Sequence, residues 1–283
     1  MIIDGKKFAQ KLRNKIKKEI QSIKNKTRLT PGLTVILVGN HTPSEIYVRN
    51  KELAAKEVGI SSEVLRFKSS ISETKLISVI KRLNKDKKIH GILVQLPLPN
   101  HINGNKIIEE IDPRKDVDGF HPINVGNLSS GKDALVPCTP LGCYLMIKSV
   151  RKNLSGLNAF IIGRSNLNGK PMAQLLLKED CTVTIGHSKT KNLKELCKKA
   201  DIVVAAVGRA NLVKGDWVKK GAIVIDVGIN RIEKKKGYKI VGDVEFKSVV
   251  KKARAITPVP GGVGPVTIAC LLNNTLKAFK NIN

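Results

Sequence analysis

The residues best suited to chemistry lie in a short segment near the N-terminus. Tyr47 and Lys51 are four residues apart in a segment that follows Thr42 and Pro43, a pair typical of a helix start. Side chains at this spacing share one face of a helix, so an aromatic ring and an ammonium group would lie side by side. Together they could bind a flat, partly anionic substrate or one that exchanges a proton. The alternative is a tyrosine and a lysine on a solvent-exposed face.

An apolar run places this helix at the edge of a sheet. Residues 35–38 are Val-Ile-Leu-Val, which is typical of a buried strand. We expect Thr42 to be the N-cap of the helix, Pro43 its first residue, and Glu45 the third residue after the cap. Open α/β sheets bind their ligands at the carboxyl ends of the strands, so the tyrosine and the lysine would face that crevice.

A second candidate site is a glycine-led turn in the C-terminal half. Residues 159–162 are apolar and precede Gly163, Arg164 and Ser165, and a helix starts near Gly169. A phosphate group can approach Gly163 because no side chain blocks it, and free N–H groups of the helix would hold its charge. The spacing is not GxGxxG, so a plain tight turn is the alternative.

The next strand indicates which dinucleotide this turn would bind. Residues 182–185 lead into Gly-His-Ser-Lys at 186–189. A site for NAD would place an acidic residue there to hold the ribose 2′-hydroxyl. A hydroxyl, on Ser188, and a basic residue stand there instead. With Arg164 they suit a 2′-phosphate, which favours NADP over NAD.

Two later strands also end at glycine. Gly208 and Gly228 each follow an apolar run, where a ligand ring or another backbone could approach closely. Asp226 and Asp243 lie in the same region, and we interpret both as residues that cap turns.

The strong positive charge has a mild interpretation. The chain has 51 basic and 23 acidic residues and a net charge of +28, which by itself would favour a nucleic acid or an anionic surface as a partner. The lysines are spread over every predicted helix, and only 4% of the residues are aromatic, so no platform for stacking bases is present. We therefore expect no nucleic-acid partner, but a general attraction for phosphates and polyanionic substrates.

The cysteines and the apolar runs indicate a cytoplasmic protein. The five cysteines show neither a CxxC pair nor a metal-ligand spacing, so we expect reduced, mostly buried thiols and no metal site. No apolar run is long enough to span a bilayer, and the first residues do not form a signal peptide.

The alternation of strand-like and helix-like segments predicts an α/β protein. Apolar runs separated by amphipathic stretches are the βαβ pattern of parallel sheets. The length allows two domains, each a mostly parallel sheet with helices and with a cleft between them. We expect a first domain at 1–140 plus 266–283, and a Rossmann-like nucleotide domain at 141–265.

Six motifs in order point to a family. They are Tyr-Val-Arg-Asn-Lys at 47–51, Gly-Ile-Leu-Val-Gln-Leu-Pro-Leu-Pro at 91–99, Lys-Asp-Val-Asp-Gly-Phe at 115–120, Pro-Cys-Thr-Pro at 137–140, Gly-Arg-Ser at 163–165 and Thr-Pro-Val-Pro-Gly-Gly-Val-Gly-Pro at 257–265. Over nearly its whole length the chain resembles the bifunctional methylenetetrahydrofolate dehydrogenase / methenyltetrahydrofolate cyclohydrolase family. It departs from the family pattern at 41–44, at Asn168 and at Val266, none of which is a catalytic position of the family.

The resemblance implies two successive reactions. The family oxidises 5,10-methylenetetrahydrofolate with NADP and hydrolyses the methenyl product to 10-formyltetrahydrofolate. Tetrahydrofolate derivatives would thus be the substrates, and the family leads us to expect a homodimer formed through the nucleotide domain.

The resemblance also implies roles for particular side chains. Lys51 would carry protons in the hydrolysis, since burial and the positive charge of the protein favour its neutral form. Gln95 would orient Lys51 without holding it as an ion. Tyr47 would stack on the folate, and Asp118 would accept paired hydrogen bonds from the pterin.

The remaining assignments concern loops. Pro260, Gly261 and Gly262 would bind substrate in a loop between the two sites. Gly163, Arg164, Ser165, Ser188 and Ile229 would bind the cofactor. We interpret Asp116 and His121 as structural.

Three alternatives stay open at this point. A dehydrogenase of the same architecture could act on another small substrate. A basic protein could keep the fold and bind nucleic acid. The chain could also retain the dehydrogenase activity with negligible cyclohydrolase activity.

Overall fold

The computed structural model describes residues 1–233 and 237–283, which form two compact units. One unit comprises residues 10–138 and 268–283, and the other comprises residues 1–9 and 139–267. We call them the lysine unit and the glycine-turn unit, after the candidate sites that they contain. The predicted domain boundaries stay predictions.

The lysine unit is built on a parallel sheet of three strands in the order β2-β1-β3. The strands are β1 (Gly32–Val38), β2 (Ser61–Phe67) and β3 (Gly91–Val94). The helices that lie wholly or mostly in this unit are α1 (Gly5–Thr27), α2 (Thr42–Val58), α3 (Glu73–Lys85), α4 (Gly104–Glu109), α5 (Pro122–Ser129) and α10 (Val263–Ile282). Every residue of β1 is buried, as expected for the central strand of a parallel sheet covered on both faces.

Local sequence explains why α3 forms and how it packs. Ser72 caps its N-terminus, accepting a hydrogen bond from the N–H of Lys75 at 3.3 Å. Its buried side chains recur at helical spacing (Leu76, Val79, Ile80 and Leu83). They join Ile36, Ile92 and Ile107 in the main apolar core of the unit. The helix therefore covers one face of the three-stranded sheet.

The start of α2 differs from the prediction by one residue. Thr42 is already helical, and the N-cap is His41. The His41 side chain makes no capping bond; its Nδ1 lies 2.9 Å from Oγ of the buried Ser44. The predicted Thr42 cap is therefore wrong. The helix itself is present, and Gly59 ends it in the left-handed conformation at φ +87°.

The glycine-turn unit is built on a parallel sheet of five strands in the order β10-β7-β6-β4-β5. The strands are β4 (Asn158–Ile162), β5 (Thr182–Gly186), β6 (Ile202–Ala205), β7 (Ile223–Asp226) and β10 (Ala255–Ile256). Its helices are α6 (Cys138–Val150), α7 (Gly169–Leu177), α8 (Leu193–Lys198) and α9 (Phe246–Val249), with a 3₁₀ turn at Gly215–Trp217. Parallel strands that alternate with helices confirm the predicted α/β class.

One element of this unit was not anticipated. Strands β8 (Asn230–Glu233) and β9 (Tyr238–Val241) pair antiparallel, outside the main sheet. The hairpin is mostly exposed, so its sequence lacks the continuous apolar run that marks a buried strand.

The first residues of the chain belong to the edge of the five-stranded sheet. Ile2 forms a parallel bridge with Ile256 of β10, and the N–H of Ile3 donates to the carbonyl of Ile256 at 2.8 Å. All five cysteines are buried, in line with the prediction of buried thiols.

Candidate active site

The centre of the first site is a hydrogen bond between Lys51 and Gln95. Lys51 lies on α2 and is only 9% exposed, and Gln95 follows directly after β3. The Nζ of Lys51 donates to Oε1 of Gln95 at 2.9 Å. The Nε2 of the same amide donates to the carbonyl of Leu96 at 2.8 Å. Exchanging the oxygen and nitrogen of the amide would therefore break both hydrogen bonds. The buried amine therefore faces a fixed, neutral acceptor.

Backbone pairing holds Gln95 in place. Its N–H donates to the carbonyl of Ile36 in β1 at 2.9 Å, continuing the parallel ladder one residue beyond β3. The glutamine is thus at the carboxyl edge of the sheet, where parallel folds bind their ligands.

Tyr47 lies one turn before Lys51 on α2. The residue is 39% exposed, so part of its ring is free to contact a ligand. Partial burial raises the pKa of its hydroxyl above the ordinary value of 10.0, which keeps the phenol neutral at physiological pH. The exposed ring can stack on a flat group.

Asp118 is the acidic member of this site. It follows a segment that runs beside β3, in which Asp116 forms a parallel bridge with Ile92. Burial raises the pKa of the Asp118 carboxyl, while the nearby Lys51 ammonium lowers it. Lys51, Gln95 and Asp118, which are far apart in sequence, thus gather at one edge of the sheet.

Asp116 and His121 have structural contacts, in line with their interpretation from sequence. The buried Asp116 carboxylate accepts from the N–H of His121 at 2.8 Å and from Nδ2 of Asn124 at 3.0 Å. Nδ1 of His121 accepts from the N–H of Ile123 at 3.1 Å and so caps α5. Both side chains shape the loop after Asp118.

Lys115 has a role that the sequence reasoning missed. It is only 4% exposed, and its Nζ donates to the carbonyls of Leu83, Asn84 and Asp86 at 3.2, 2.8 and 2.8 Å. A cation at the C-terminal end of a helix satisfies free carbonyls and opposes the helix dipole. Lys115 therefore ties the segment that carries Asp118 to the end of α3.

The second site begins at the turn after β4. Gly163 has φ +127°, and a Cβ there would lie 2.4 Å from the carbonyl oxygen of Ala206. A Cβ on Gly169 would lie 2.0 Å from the carbonyl oxygen of Gly163. Only glycine fits at either position, since one needs a left-handed backbone and both touch neighbouring backbone. The turn is thus more constrained than an ordinary tight turn.

A mostly apolar crevice lies beside this turn. Its walls come from the carboxyl ends of the strands and from the first turns of two helices: Thr139, Pro140, Cys143, Ile161, Asn168, Gly169, Met172, Val204, Ala206 and Val227. This is where a Rossmann-like sheet holds the flat part of a dinucleotide.

The predicted cofactor residues stand around the same edge. Arg164 and Ser165 follow β4 and are exposed, and Ser188 is exposed after β5, the neighbouring parallel strand. Oγ of Ser165 accepts from the N–H of Asn168 at 3.1 Å. Ile229, after β7, is 56% exposed. These side chains are accessible to a ligand at the carboxyl edge.

Two buried carboxylates hold the neighbouring loops. Asp243 is fully buried, and its Oδ2 accepts from the N–H groups of Val207 and Gly208 at 2.7 and 3.0 Å. Its Oδ1 accepts from Nδ2 of Asn230 at 2.9 Å. Asp243 therefore ties the loop after β6 to the start of β8.

Asp226 organises the adjacent turn. Its Oδ1 accepts from the N–H groups of Gly228 and Asp243 at 3.0 and 2.9 Å, and its Oδ2 from the N–H of Val244 at 2.9 Å. Burial raises the pKa of its carboxyl to about 7, although the three backbone N–H bonds lower it. These bonds confirm that both aspartates act on turns.

The loop with Pro260, Gly261 and Gly262 lies in the glycine-turn unit, against the first residues of the chain. A Cβ on Gly5 would lie 1.8 Å from the carbonyl oxygen of Gly262, and one on Gly262 would lie 2.4 Å from that of Pro258. The glycines therefore serve close packing of this loop.

Residues 1–233 and 237–283 contain no group of three or more His, Cys, Asp or Glu side chains that could hold a metal ion. Within the same ranges, no helix has both the length and the apolar character needed to span a membrane.

A parallel sheet with a glycine-led turn, and a separate lysine–amide–carboxylate site, define a two-site α/β protein of the nucleotide-binding type. Two family models match the chain. The catalytic domain of tetrahydrofolate dehydrogenase/cyclohydrolase covers residues 3–118, and its NAD(P)-binding domain covers residues 137–283. The chain belongs to the tetrahydrofolate dehydrogenase/cyclohydrolase family.

Proteins with similar sequences match this chain over nearly its full length. The bifunctional protein FolD of Pelagibacter ubique is 64% identical over 280 residues, which are 99% of this chain and 98% of that protein. FolD of Paramagnetospirillum magneticum is 58% identical, covering 100% and 96% of the two chains. Identity at this level extends through both units.

Solved structures give the same result. The bifunctional FolD enzyme of Campylobacter jejuni matches with a TM-score of 0.96 at 48% identity, over 99% of both chains. The Trypanosoma brucei enzyme, solved with NADP and an inhibitor, matches with a TM-score of 0.95 at 37% identity, over 99% of this chain and 97% of that one.

Proposed function

We propose that this protein oxidises 5,10-methylenetetrahydrofolate to 5,10-methenyltetrahydrofolate with NADP and then hydrolyses the product to 10-formyltetrahydrofolate. Membership of the family and the similarity to FolD proteins support both activities. The observation that carries the hydrolytic activity is the 2.9 Å hydrogen bond from a buried lysine to a neutral amide. A protein restricted to dehydrogenation has no need for this pair.

The oxidation demands alignment more than acid–base catalysis. The bridge carbon of the substrate lies between two nitrogens, whose lone pairs stabilise the cation that remains when hydride leaves. NADP, when bound, accepts that hydride. The protein has to hold the donor carbon in line, which accounts for a large part of such a rate enhancement.

The residues of the glycine-turn unit fit this cofactor. Gly163 and Gly169 leave no side chain between the turn and a pyrophosphate. The exposed Arg164 and Ser188 would hold a 2′-phosphate by charge and hydrogen bonding. Ser165 and Ile229 would contact the cofactor at the same edge, and no acidic residue stands between β5 and Ser188 to favour the 2′-hydroxyl of NAD.

The hydrolysis needs a group that both accepts and donates a proton. In our proposal the neutral amine of Lys51 accepts a proton from water as the oxygen bonds to the methenyl carbon. The resulting ammonium then donates this proton to the departing nitrogen as the carbon–nitrogen bond breaks, and the hydroxyl of the adduct releases its own proton to solvent as the formyl C=O forms. Gln95 directs the amine throughout, and its neutral amide does not hold Lys51 in the charged form as a carboxylate would.

Asp118 and Tyr47 would hold the substrate. A carboxylate can accept from two adjacent N–H donors of an aminopyrimidine edge, and the half-exposed ring of Tyr47 can stack on the folate. We assign Pro260, Gly261 and Gly262 to substrate binding as well, as the family resemblance implies.

We further infer a cytoplasmic homodimer formed through the nucleotide domain. The family resemblance supports it, and sedimentation of the purified protein tests the dimer. A single species at the mass of one chain would contradict it.

A coupled assay with methylenetetrahydrofolate and NADP tests the function. It records the appearance and decay of the methenyl intermediate for the wild type, Lys51→Met and Lys56→Met. Lys56 is a matched control, because it lies on the same helix but is exposed and pairs with Glu52. We expect the intermediate to accumulate only with Lys51→Met. Hydrolysis at the wild-type rate in that variant would overturn the role of Lys51.

A further inference from the structure

Asp118 lies in a turn, residues 116–119, whose backbone packs against a second segment of the chain. Gly119, the next residue, has φ +73°, and a Cβ there would lie 2.5 Å from the carbonyl oxygen of Leu135 and 2.6 Å from the nitrogen of Pro137. The turn at 116–119 thus packs backbone to backbone against residues 135–137. The position of Asp118 is set by what holds these two segments together.

One buried amide joins the two segments. Asn274 lies on α10 and is 1% exposed. Its Nδ2 donates to the carbonyl of Val117 at 2.9 Å and to the carbonyl of Val136 at 2.8 Å. The first acceptor immediately precedes Asp118 in the chain, and the second lies on the segment that supports Gly119.

A thiol contacts the same carbonyl. We call Asn274 and Cys138, together with the carbonyls of Val117 and Val136, the clamp. Sγ of Cys138 donates to the same carbonyl of Val117 at 3.3 Å and lies 3.7 Å from Nδ2 of Asn274. The Val117 carbonyl therefore accepts from two buried groups that lie next to each other. A peptide unit held in this way cannot rotate without losing both bonds.

We propose that Asn274 is a positioning residue for substrate binding, fixing the turn from which Asp118 reaches the pterin. This inference rests on the proposed function, since it takes Asp118 as the substrate anchor. Asn274 need not touch the substrate; it acts through the Val117 carbonyl.

The chemistry of the clamp explains why an amide is present. The Val117 carbonyl is a buried acceptor and the Val136 carbonyl a part-buried one, and an unpaired buried carbonyl costs more than an ordinary hydrogen bond contributes. A primary amide supplies two donors from one nitrogen. Leucine would match the volume but leave the Val136 carbonyl without this donor and the Val117 carbonyl with the thiol of Cys138 alone, and an aspartate would place a negative charge against two oxygens.

The next residue provides a matched control. Thr275 is equally buried, and its Oγ1 donates to the carbonyl of Leu271 at 2.9 Å, within its own helix. Thr275→Val therefore removes a buried hydrogen bond from α10 without touching the turn at 116–119. Any general effect of disturbing this helix appears in both variants.

The experiment measures the Michaelis constants for methylenetetrahydrofolate and NADP in Asn274→Leu, Thr275→Val and Asp118→Asn. We expect Asn274→Leu to raise the KM for the folate substrate about tenfold or more, since small displacements of a positioning group have effects of this order. Its KM for NADP stays at the wild-type value. Thr275→Val leaves both constants unchanged, although it lowers the unfolding temperature.

The pattern of outcomes separates the two hypotheses. If Asp118→Asn raises the folate KM and a folded Asn274→Leu does not, the positioning role is wrong and the proposed anchor stands. If neither variant changes the folate KM, the assignment of Asp118 is wrong and the inference fails with it. An equal rise of both constants in Asn274→Leu indicates a purely structural role and overturns the inference.

A double variant sharpens the test. If Asn274 acts through Asp118, Asp118→Asn combined with Asn274→Leu should have the folate KM of Asp118→Asn alone, because coupled sites are not additive. Multiplicative effects would contradict the proposal. Asn274→Ala, which removes both donors without adding a charge, replaces the leucine variant if thermal unfolding shows that Asn274→Leu is not folded.

Discussion

The two units hold their functional loops with different chemistry. In the lysine unit, two neutral amides hold the turn around Asp118, beside the buried carboxylate of Asp116. Asn274 donates to Val117 and Val136, and Asn124 donates to Asp116 and Pro113. In the glycine-turn unit, backbone N–H groups of the loops after β6 and β7 donate hydrogen bonds to the buried carboxylates of Asp226 and Asp243.

The difference follows from what each site has to do. The proposed proton carrier Lys51 faces the neutral oxygen of Gln95. The unit already places the carboxylates of Asp116 and Asp118 in this region. Each additional carboxylate near the amine would favour its charged form, and the two amides hold the turn without adding one. The glycine-turn unit has no such constraint. Carboxylates are the better acceptors there, because each of them collects three N–H groups.

The strongest test of this comparison places a further carboxylate directly beside Lys51. Gln95→Glu places a carboxylate at hydrogen-bond distance from Lys51 and should hold the lysine as an ammonium. We expect cyclohydrolase activity to fall by about 10²- to 10⁴-fold, the usual contribution of general acid–base catalysis. Dehydrogenase activity should fall far less, since hydride transfer needs no protein base. Equal losses in the two assays would mean that the amide serves binding rather than proton transfer.

A second variant weakens the charged clamp of the other unit. Asp243→Asn keeps the side-chain shape but turns one acceptor into a donor that faces backbone N–H groups. We expect the KM for NADP to rise by about 100-fold, the scale of a small misplacement in a binding loop, with the folate KM unchanged.

Asp201→Asn is the control for that variant. Asp201 accepts from the N–H of Asn158 and pairs with Lys219 at the start of the strands, the edge opposite to the loops. A similar rise in the KM for NADP in this variant would show that the effect comes from general destabilisation.

A smaller effect is expected from the exposed cationic residue at the cofactor edge. Arg164→Gln removes a charge that would pair with the 2′-phosphate, and hydrogen bonds to charged groups contribute about 1.5–3 kcal/mol. The ratio of kcat/KM for NADP over NAD should therefore fall by about tenfold or more. The comparison with Ser188→Ala shows how much of the preference depends on the hydroxyl. An unchanged ratio in both variants would contradict the assignment to the 2′-phosphate.

Sequence reasoning succeeded where a single local pattern decides the structure. The buried strands were predicted from apolar runs, as at 35–38 and 159–162. The turn at Gly163 was predicted from its place between a strand and a helix. The juxtaposition of Lys51 and Gln95, 44 residues apart, was expected only through the family resemblance, because no local rule brings them together.

The clamps could not be predicted for the same reason. Asn274 is 157 residues from Val117, and Lys115 reaches carbonyls about thirty residues away at the end of α3. In the sequence, an asparagine in an amphipathic helix is indistinguishable from an ordinary polar surface residue. Its hydrogen-bond partners are known only from the tertiary structure. The start of α2 was missed by one residue, because Pro43 is the second helical residue and not the first, and His41 rather than Thr42 is the cap.

The last prediction concerns pH and separates the two kinds of clamp. The native pKa of Asp226 is about 7 because of burial, well above its ordinary value near 4. The native state therefore binds the proton more tightly than the unfolded state. Stability from this group is complete below pH 4 and is lost as the pH rises through 7, by about 1.4 kcal/mol per pH unit at most. We expect the free energy of unfolding of the wild type, relative to Asp226→Asn, to be higher at pH 5 than at pH 8.

The control for this measurement is again Asp201→Asn. Although partial burial acts to raise the pKa of Asp201, hydrogen bonds from Lys219 and Asn158 lower it below its ordinary value, so its contribution is lost only below about pH 4. The difference between wild type and Asp201→Asn should stay constant between pH 5 and pH 8. The same constancy is expected for Asn274→Leu, because an amide does not titrate. If the difference for Asp226→Asn is also constant, the carboxylate is ionised throughout this range, and the two units do not differ in how their clamps respond to pH.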